Sequence, residues 1–257
     1  MKIYRLLVIL FVLAIMGCSS GSPDREDGDS HNDISRAEVS QNEISKTEIS
    51  EVSSVTESAP EESSLQEESV LSEPADEDFV RVRDYIPDIV VDLHYATENN
   101  FTGQRIYDFT EAWLRYGTVK KLMQVQEELK KSGLCLKIWD GFRPVSAQFR
   151  LWEVCPDPVY VADPNDGFSS HSRGNTVDIT LVTEDGTEVV MPTGFDDFSA
   201  LADRDYSDCS TEAAANALFL EECMTAHGFS PYFGEWWHFS DTQSYPVEQE
   251  FEPSAVS

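Results

Sequence analysis

Basic side chains are scarce in this 257-residue chain: 18 Lys and Arg stand against 48 Asp and Glu, a formal charge of -30. Nothing in such a balance would replace counterions along a phosphate backbone, so nucleic acid is excluded as a partner. The five cysteines include no C-x-x-C pair, which argues against a cysteine zinc site. The longest apolar run, Leu6 to Met16, is short for a membrane span. Aromatic residues are absent between Ser19 and Asp78, where about half of the net charge lies. That stretch of Ser, Glu, Asp and small residues has too little apolar surface to offset the entropy of ordering, and disorder is expected. Regular βαβ alternation is also missing, which disfavours a doubly wound parallel sheet.

What is present begins with Lys2 and Arg5 ahead of the apolar run, the pattern of a secretory signal peptide over residues 1–17. The run ends in Ile15-Met16-Gly17-Cys18, which resembles a bacterial lipobox and marks Cys18 for lipidation. Residues 18–78 then read as an acidic tether, with a recurring pentad (Glu38-Val39-Ser40, Glu43-Ile44-Ser45, Glu48-Ile49-Ser50) that fits neither helix nor strand. Self-repulsion would extend it and hold a domain away from the membrane surface. Residues 79–251 contain the tryptophans, the tyrosines beyond Tyr4 and most phenylalanines, enough for one core, and residues 252–257 form a tail.

Within the domain, Asp88 to Tyr95 reads as a strand, with His94 a packed core residue in it. Apolar spacing predicts a helix over Thr118–Lys131, stopped by Gly133; Val145–Val154, stopping before Pro156, and Thr211–His227, ended by Gly228, also read as helices. His227, in a last turn, could satisfy free carbonyls. Strands are expected at Leu134–Trp139, Thr176–Val182 and Phe229–Ser240. Glu184-Asp185-Gly186 signals a hairpin returning through Glu188–Val190. The sum is an α+β domain, a mainly antiparallel sheet with helices on one side.

Two clusters carry chemistry. His171 and Asp178 are seven residues apart, and Glu235 and His238 follow some sixty residues on. Two imidazoles and a carboxylate are a three-ligand set for one catalytic zinc, with a fourth position open to water. Glu235 remains free to act as a base. Residues three apart on a regular strand face opposite ways, so the backbone must bulge or turn at Trp236-Trp237 if both Glu235 and His238 reach the metal. Arg143, in Asp140-Gly141-Phe142-Arg143-Pro144, is a candidate cation for an oxyanion; its bland alternative is a surface arginine paired to Asp140.

The segments Ile138 to Pro144, His171 to Asp178 and Glu235 to His238, with Asp92 to Thr97 and Val161 to Pro164, resemble the D-alanyl-D-alanine dipeptidases, the family of the vancomycin-resistance dipeptidase. The resemblance runs from about Arg83 to Ser240. It implies zinc on His171, Asp178 and His238, a general base in Glu235, and transition-state stabilisation by Arg143. It also implies that Ser169 and Asp196 bind the dipeptide backbone and free amine; Asp197 competes with Asp196 for the second role. The implied activity is hydrolysis of D-Ala-D-Ala to two D-alanines. A D,D-carboxypeptidase trimming peptidoglycan stems and a non-catalytic zinc- or wall-binding module are the alternatives. Asn175-Thr176 departs from the smaller residues usual there. The lipid anchor implies an extracytoplasmic, membrane-attached protein, unlike cytoplasmic resistance enzymes. Pairing among Cys135, Cys155, Cys209 and Cys223 stays open.

Overall fold

A computed structural model describes residues 73–254. The expected signal peptide, Cys18 and most of the linker lie outside the described residues, as does the end of the tail.

The chain enters along β1 (Phe79–Arg81), which pairs antiparallel with β3 (Trp113–Arg115) in a small separate sheet. A short helix α1 (Val82–Tyr85) follows β1. The main sheet has five strands: β2 (Val90–Val91), β4 (Leu134–Asp140), β5 (Thr176–Thr183), β6 (Phe229–Pro231) and β7 (His238–Asp241), in the order β2-β4-β5-β7-β6. The sheet is mixed. The β2–β4 pair is parallel and the other three pairings are antiparallel. The crossover from β2 to β4 runs through β3 and α2 (Tyr116–Lys130). β2 has two residues, too few to leave a period in the sequence, so the parallel pair was not foreseen.

α2 packs on β4, and α4 (Thr211–Ala226) packs on β5, β6 and α2, which puts both helices on one face. Leu122, Val125 and Leu129 of α2 and Leu220 and Met224 of α4 are buried there against Leu136, Ile138, Ile179 and Leu181. α3 (Val145–Val154) covers the predicted span. β5 is buried at seven of its eight positions, and Gly133 and Gly228 have positive φ where α2 and α4 end.

Other boundaries moved. Asp88–Tyr95 is not one strand: after β2 the chain turns, and His94–Ala96 form a 3-10 turn. His94 packs edge-on to Trp139 and Phe195. The hairpin after β5 forms, with Gly186 at φ 84°, but its return is a single bridge from Val182 to Glu188. The predicted strand Phe229–Ser240 is two strands, β6 and β7, folded into a hairpin around Tyr232–Trp237. His227 bonds side chains rather than carbonyls, with Nε2 2.7 Å from Glu128 Oε2. The four cysteines of the domain are free thiols.

Candidate active site

Sheet register builds the site. Asp178 on β5 lies directly opposite His238 on β7, and Asp140 on β4 lies opposite Asp178 on the other side. The β4–β5 register slips between Ile138 and Asp140, so Trp139 is an extra residue in its strand. Without that bulge Asp140 would stand one step out of the row. His171 arrives from outside the sheet, in a 3-10 turn (Ser170–Arg173) whose first turn Ser169 caps, its Oγ accepting from the His171 amide at 3.3 Å. Gly174 ends this turn at φ 74°, and a β-carbon there would collide with the Phe79 ring. Only glycine meets both demands.

The three expected ligands converge. His171 Nε2 is 3.3 Å from Asp178 Oδ2, and His238 Nδ1 is 2.9 Å from Asp178 Oδ1. One donor atom from each of the three lies within 4.8 Å of the others. His171 Nδ1 donates to the Gly141 carbonyl at 2.8 Å, which leaves Nε2 as the free lone pair facing the cluster. His238 faces the same point through Nδ1, with Nε2 3.4 Å from Ser170 Oγ. The donor set therefore fits a divalent metal in type, burial and tautomer.

Glu235 sits beside it, with Oε2 3.5 Å from His238 Nδ1. The turn required at Trp236-Trp237 is present: the His238 amide donates to the Glu235 carbonyl at 3.3 Å. Both tryptophans are fully buried, and Trp236 Nε1 donates to Thr193 Oγ1 at 2.8 Å. Arg204 clasps the turn from outside, Nε donating to the Tyr232 carbonyl at 2.8 Å and Nη2 to that of His238 at 3.0 Å.

Arg143 does pair with Asp140, at 2.6 Å, but not on the surface: the pair is buried and Arg143 lines the cavity. Gln148 Oε1 accepts from Arg143 Nη1 at 3.0 Å, and Tyr107, whose hydroxyl donates to Asp140 at 2.7 Å, braces the other side. The cavity has a volume of about 290 Å³ and is also lined by Ser169, Asp196, Tyr95 and Tyr160. Asp196 faces it and Asp197 does not line it; Asp197 instead accepts from the Ser199 amide at 3.0 Å. Asp196 has φ 53°, the one positive value among the described non-glycine residues, and its carboxylate accepts from the Tyr95 hydroxyl at 2.6 Å.

Electrostatics separates the acids. Burial opposes ionisation of Asp178, yet the adjoining His171 and His238 hold its carboxyl well below the usual range. Burial and the nearby Asp178 charge push Glu235 up. Burial raises Asp196 to about 8, although the Tyr95 hydrogen bond works the other way. Burial also opposes a charge on His171, but Asp178 and Asp140 raise it.

Asp140, Tyr95, Tyr107 and Gln148 were not assigned roles from sequence. Asp140 stood only as a partner for a surface arginine. Tyr95 lies in the segment Asp92 to Thr97, and its partner Asp196 is 101 positions away. Asn175 and Thr176, the departures from the family pattern, tie β5 to β7 and the segment after it. Thr176 Oγ1 is 2.9 Å from Ser240 Oγ, and Asn175 Nδ2 donates to the Gln243 carbonyl at 2.8 Å.

A buried His-Asp-His donor set in an α+β domain, with a carboxylate of raised pKa beside it and a fixed guanidinium lining the same cavity, is the layout of a metallohydrolase. The family model described as D-ala-D-ala dipeptidase matches residues 75–257, and the chain belongs to that family. It is 39% identical over 163 residues to a D-alanyl-D-alanine dipeptidase of Escherichia coli (strain K12), covering 63% of this chain and 84% of that protein. Proteins of the same name from Streptomyces coelicolor and Enterococcus faecium are 33% and 32% identical, with 91% and 83% of their lengths covered and 63% and 58% of this chain.

Proposed function

We propose that this protein is a zinc-dependent dipeptidase that hydrolyses D-alanyl-D-alanine to two D-alanines in cell-wall metabolism. The observation that carries the reading is the meeting of His171, Asp178 and His238 with Glu235 at 3.5 Å from His238 and Arg143 lining the same cavity. One ion would be held by His171 Nε2, Asp178 and His238 Nδ1. Bound there, zinc lowers the pKa of water to roughly 7 and polarises a carbonyl. Glu235, raised by burial, takes a proton from the attacking water and gives it to the leaving amine. Arg143, its planar guanidinium held in place by Asp140 and Gln148, donates to the oxygen on which negative charge develops. Asp196 receives the free ammonium of the dipeptide, a role its half-buried place in the cavity and its φ of 53° support. Ser169 borders the dipeptide backbone. An acid at the amine favours a two-residue substrate over a stem peptide that continues past that point. Glu235→Ala is expected to retain zinc by elemental analysis and lose D-Ala-D-Ala hydrolysis. Loss of the metal together with activity would remove the assigned role.

We infer also that Cys18 carries a lipid, residues 18–78 act as a tether, and the catalytic domain of residues 79–251 works outside the cytoplasmic membrane. The charged start, the apolar run and Ile15-Met16-Gly17-Cys18 support this. Cys18→Ala is expected to abolish incorporation of labelled fatty acid; unchanged labelling would exclude the anchor.

A further inference from the structure

Gln148 lies on α3, one turn beyond Arg143, and is completely buried. Its side chain spans two parts of the site. Oε1 accepts from Arg143 Nη1 at 3.0 Å, while Nε2 donates to the Ala162 carbonyl at 2.7 Å. Ala162 belongs to the rim segment after α3, which contributes Tyr160, Ala162 and Phe168 to the cavity lining. That segment is otherwise bonded to itself: the Tyr160 and Val161 amides donate to the Asp157 carbonyl, and Asp163 caps the turn at Asn165. Apart from the helical bond of Cys155 to Leu151, the Gln148–Ala162 bond is the one hydrogen bond among the described residues that joins residues 155–168 to the rest of the protein.

We propose that Gln148 is a positioning residue which holds the guanidinium of Arg143 with one end of its amide and the rim of the substrate cavity with the other. The proposal rests on the role given to Arg143 above. A primary amide is suited to this place because it offers an acceptor and a donor on one rigid plane. Arginine has five donors and no acceptor, so it can use only the oxygen. The Ala162 carbonyl can use only the nitrogen. The amide orientation is thus fixed by its neighbours. An arginine free on that side could rotate away from the oxyanion, and a rim released from α3 could swing open to water.

Two variants divide the functions. Gln148→Met keeps the volume and removes both bonds. With one bond to a charged group lost, kcat for D-Ala-D-Ala is expected to fall roughly 10- to 100-fold. KM should rise as well, because the rim bond is lost with the Arg143 bond, and the affinity of a phosphinate isostere of the dipeptide should fall by at least the factor seen in kcat. Gln148→Glu restores an acceptor for Arg143 but sets an oxygen against the Ala162 carbonyl. It should recover most of the lost kcat while raising KM. In metal-stripped full-length protein, Gln148→Glu should speed chymotryptic cleavage after Tyr160 severalfold, a readout independent of catalysis. Equal kinetic losses in both variants would make Gln148 a packing residue and overturn the proposal. Wild-type cleavage rates in Gln148→Glu would overturn the rim tie even if Gln148→Met fails to fold. A wild-type protein inert toward D-Ala-D-Ala would instead defeat the proposed function, and the cleavage assay would still decide the tie.

Discussion

Two irregular segments border the cavity, and they are held in different ways. The turn Tyr232–Trp237, which presents Glu235, exposes Tyr232 and Phe233 but is fastened beneath and at both ends. Trp236 and Trp237 are fully buried beneath it, Arg204 clasps its two ends, and the Trp236 amide donates to the Ala202 carbonyl at 2.8 Å. The rim after α3 is anchored by the buried side chain of Val161 and by Gln148, while Val159 is 77% exposed and Tyr160 46%. The difference separates two tasks. A base must hold its geometry to a fraction of an ångström, because displacement by about 1 Å can cost on the order of 100-fold in rate. A rim has to exclude water and admit substrate, and that tolerates play.

Arg204 offers the sharpest way to break the contrast. Its side chain is almost wholly buried, and Glu221 Oε2 accepts from Nη1 at 2.8 Å. Arg204→Ala leaves the Tyr232 and His238 carbonyls without these donors. A loss of about 2–4 kcal/mol in stability is expected from the charge-assisted bonds removed, although each carbonyl keeps one backbone donor, the Glu235 amide on Tyr232 and the Tyr232 amide on His238. In the fraction that stays folded, kcat should drop roughly 100-fold as Glu235 loses its placement. Chemical denaturation and steady-state kinetics read the two effects separately. A folded variant with unchanged kcat would show that the turn needs no clasp.

How much of this contrast could be read from the sequence depends on how far apart the cooperating residues are. His171 and Asp178 announce themselves because seven positions suffice to link a turn to the strand that follows it. The turn between Glu235 and His238 followed from the two-residue period of a strand, which three-residue spacing violates. The helices α2 and α3 were legible from apolar spacing, and α4 from a run of good helix formers ended by Gly228. β2 was not, nor was the parallel crossover it implies, because two residues have no period. The fastening of the site was invisible for another reason. Tyr95 meets Asp196 across 101 positions, and Tyr107 meets Asp140 across 33. Neither residue type signals such a bond before the chain has folded. Gln148 is close in sequence to Arg143, but a glutamine on a helix gives no sign that its two ends have separate partners.

Asp196 stands between the two extremes, in an irregular segment yet bonded to the core through Tyr95. Burial raises it to about 8 in the metal-free protein, where at neutral pH it is mostly protonated. Between about 4 and about 8 the folded protein binds this proton and the unfolded chain does not. Stability therefore falls as pH rises through that window, and the slope vanishes above it. Substrate ammonium requires the ionised form, so affinity of the zinc enzyme should rise with pH as this carboxyl titrates, at a lower pH than in the metal-free protein because the cation favours ionisation, and should fall once the α-amino group of the dipeptide, with an ordinary pKa of about 8, loses its charge. Asp196→Asn keeps an acceptor for Tyr95 and tolerates φ 53° well. It is expected to raise the melting temperature at pH 8 while lowering kcat/KM roughly 10- to 100-fold and flattening its acid limb. Identical pH profiles for variant and wild type would remove Asp196 from amine binding.

The mildest test falls on the rim itself. Tyr160 is half-exposed, lines the cavity and packs on Phe198 at 5.0 Å between ring centroids. Tyr160→Ala removes one aromatic contact and leaves the Gln148–Ala162 bond and the buried Val161 untouched. Its effect on stability should stay within about 1 kcal/mol, as for other substitutions that open no buried cavity. KM for D-Ala-D-Ala should rise a few-fold through lost shielding of the bound dipeptide, and kcat should hardly move, because no group that handles charge or protons is displaced. Should kcat fall as far as in Arg204→Ala, the rim would belong to the same fixed apparatus as the base, and the division of labour between the two segments would not hold.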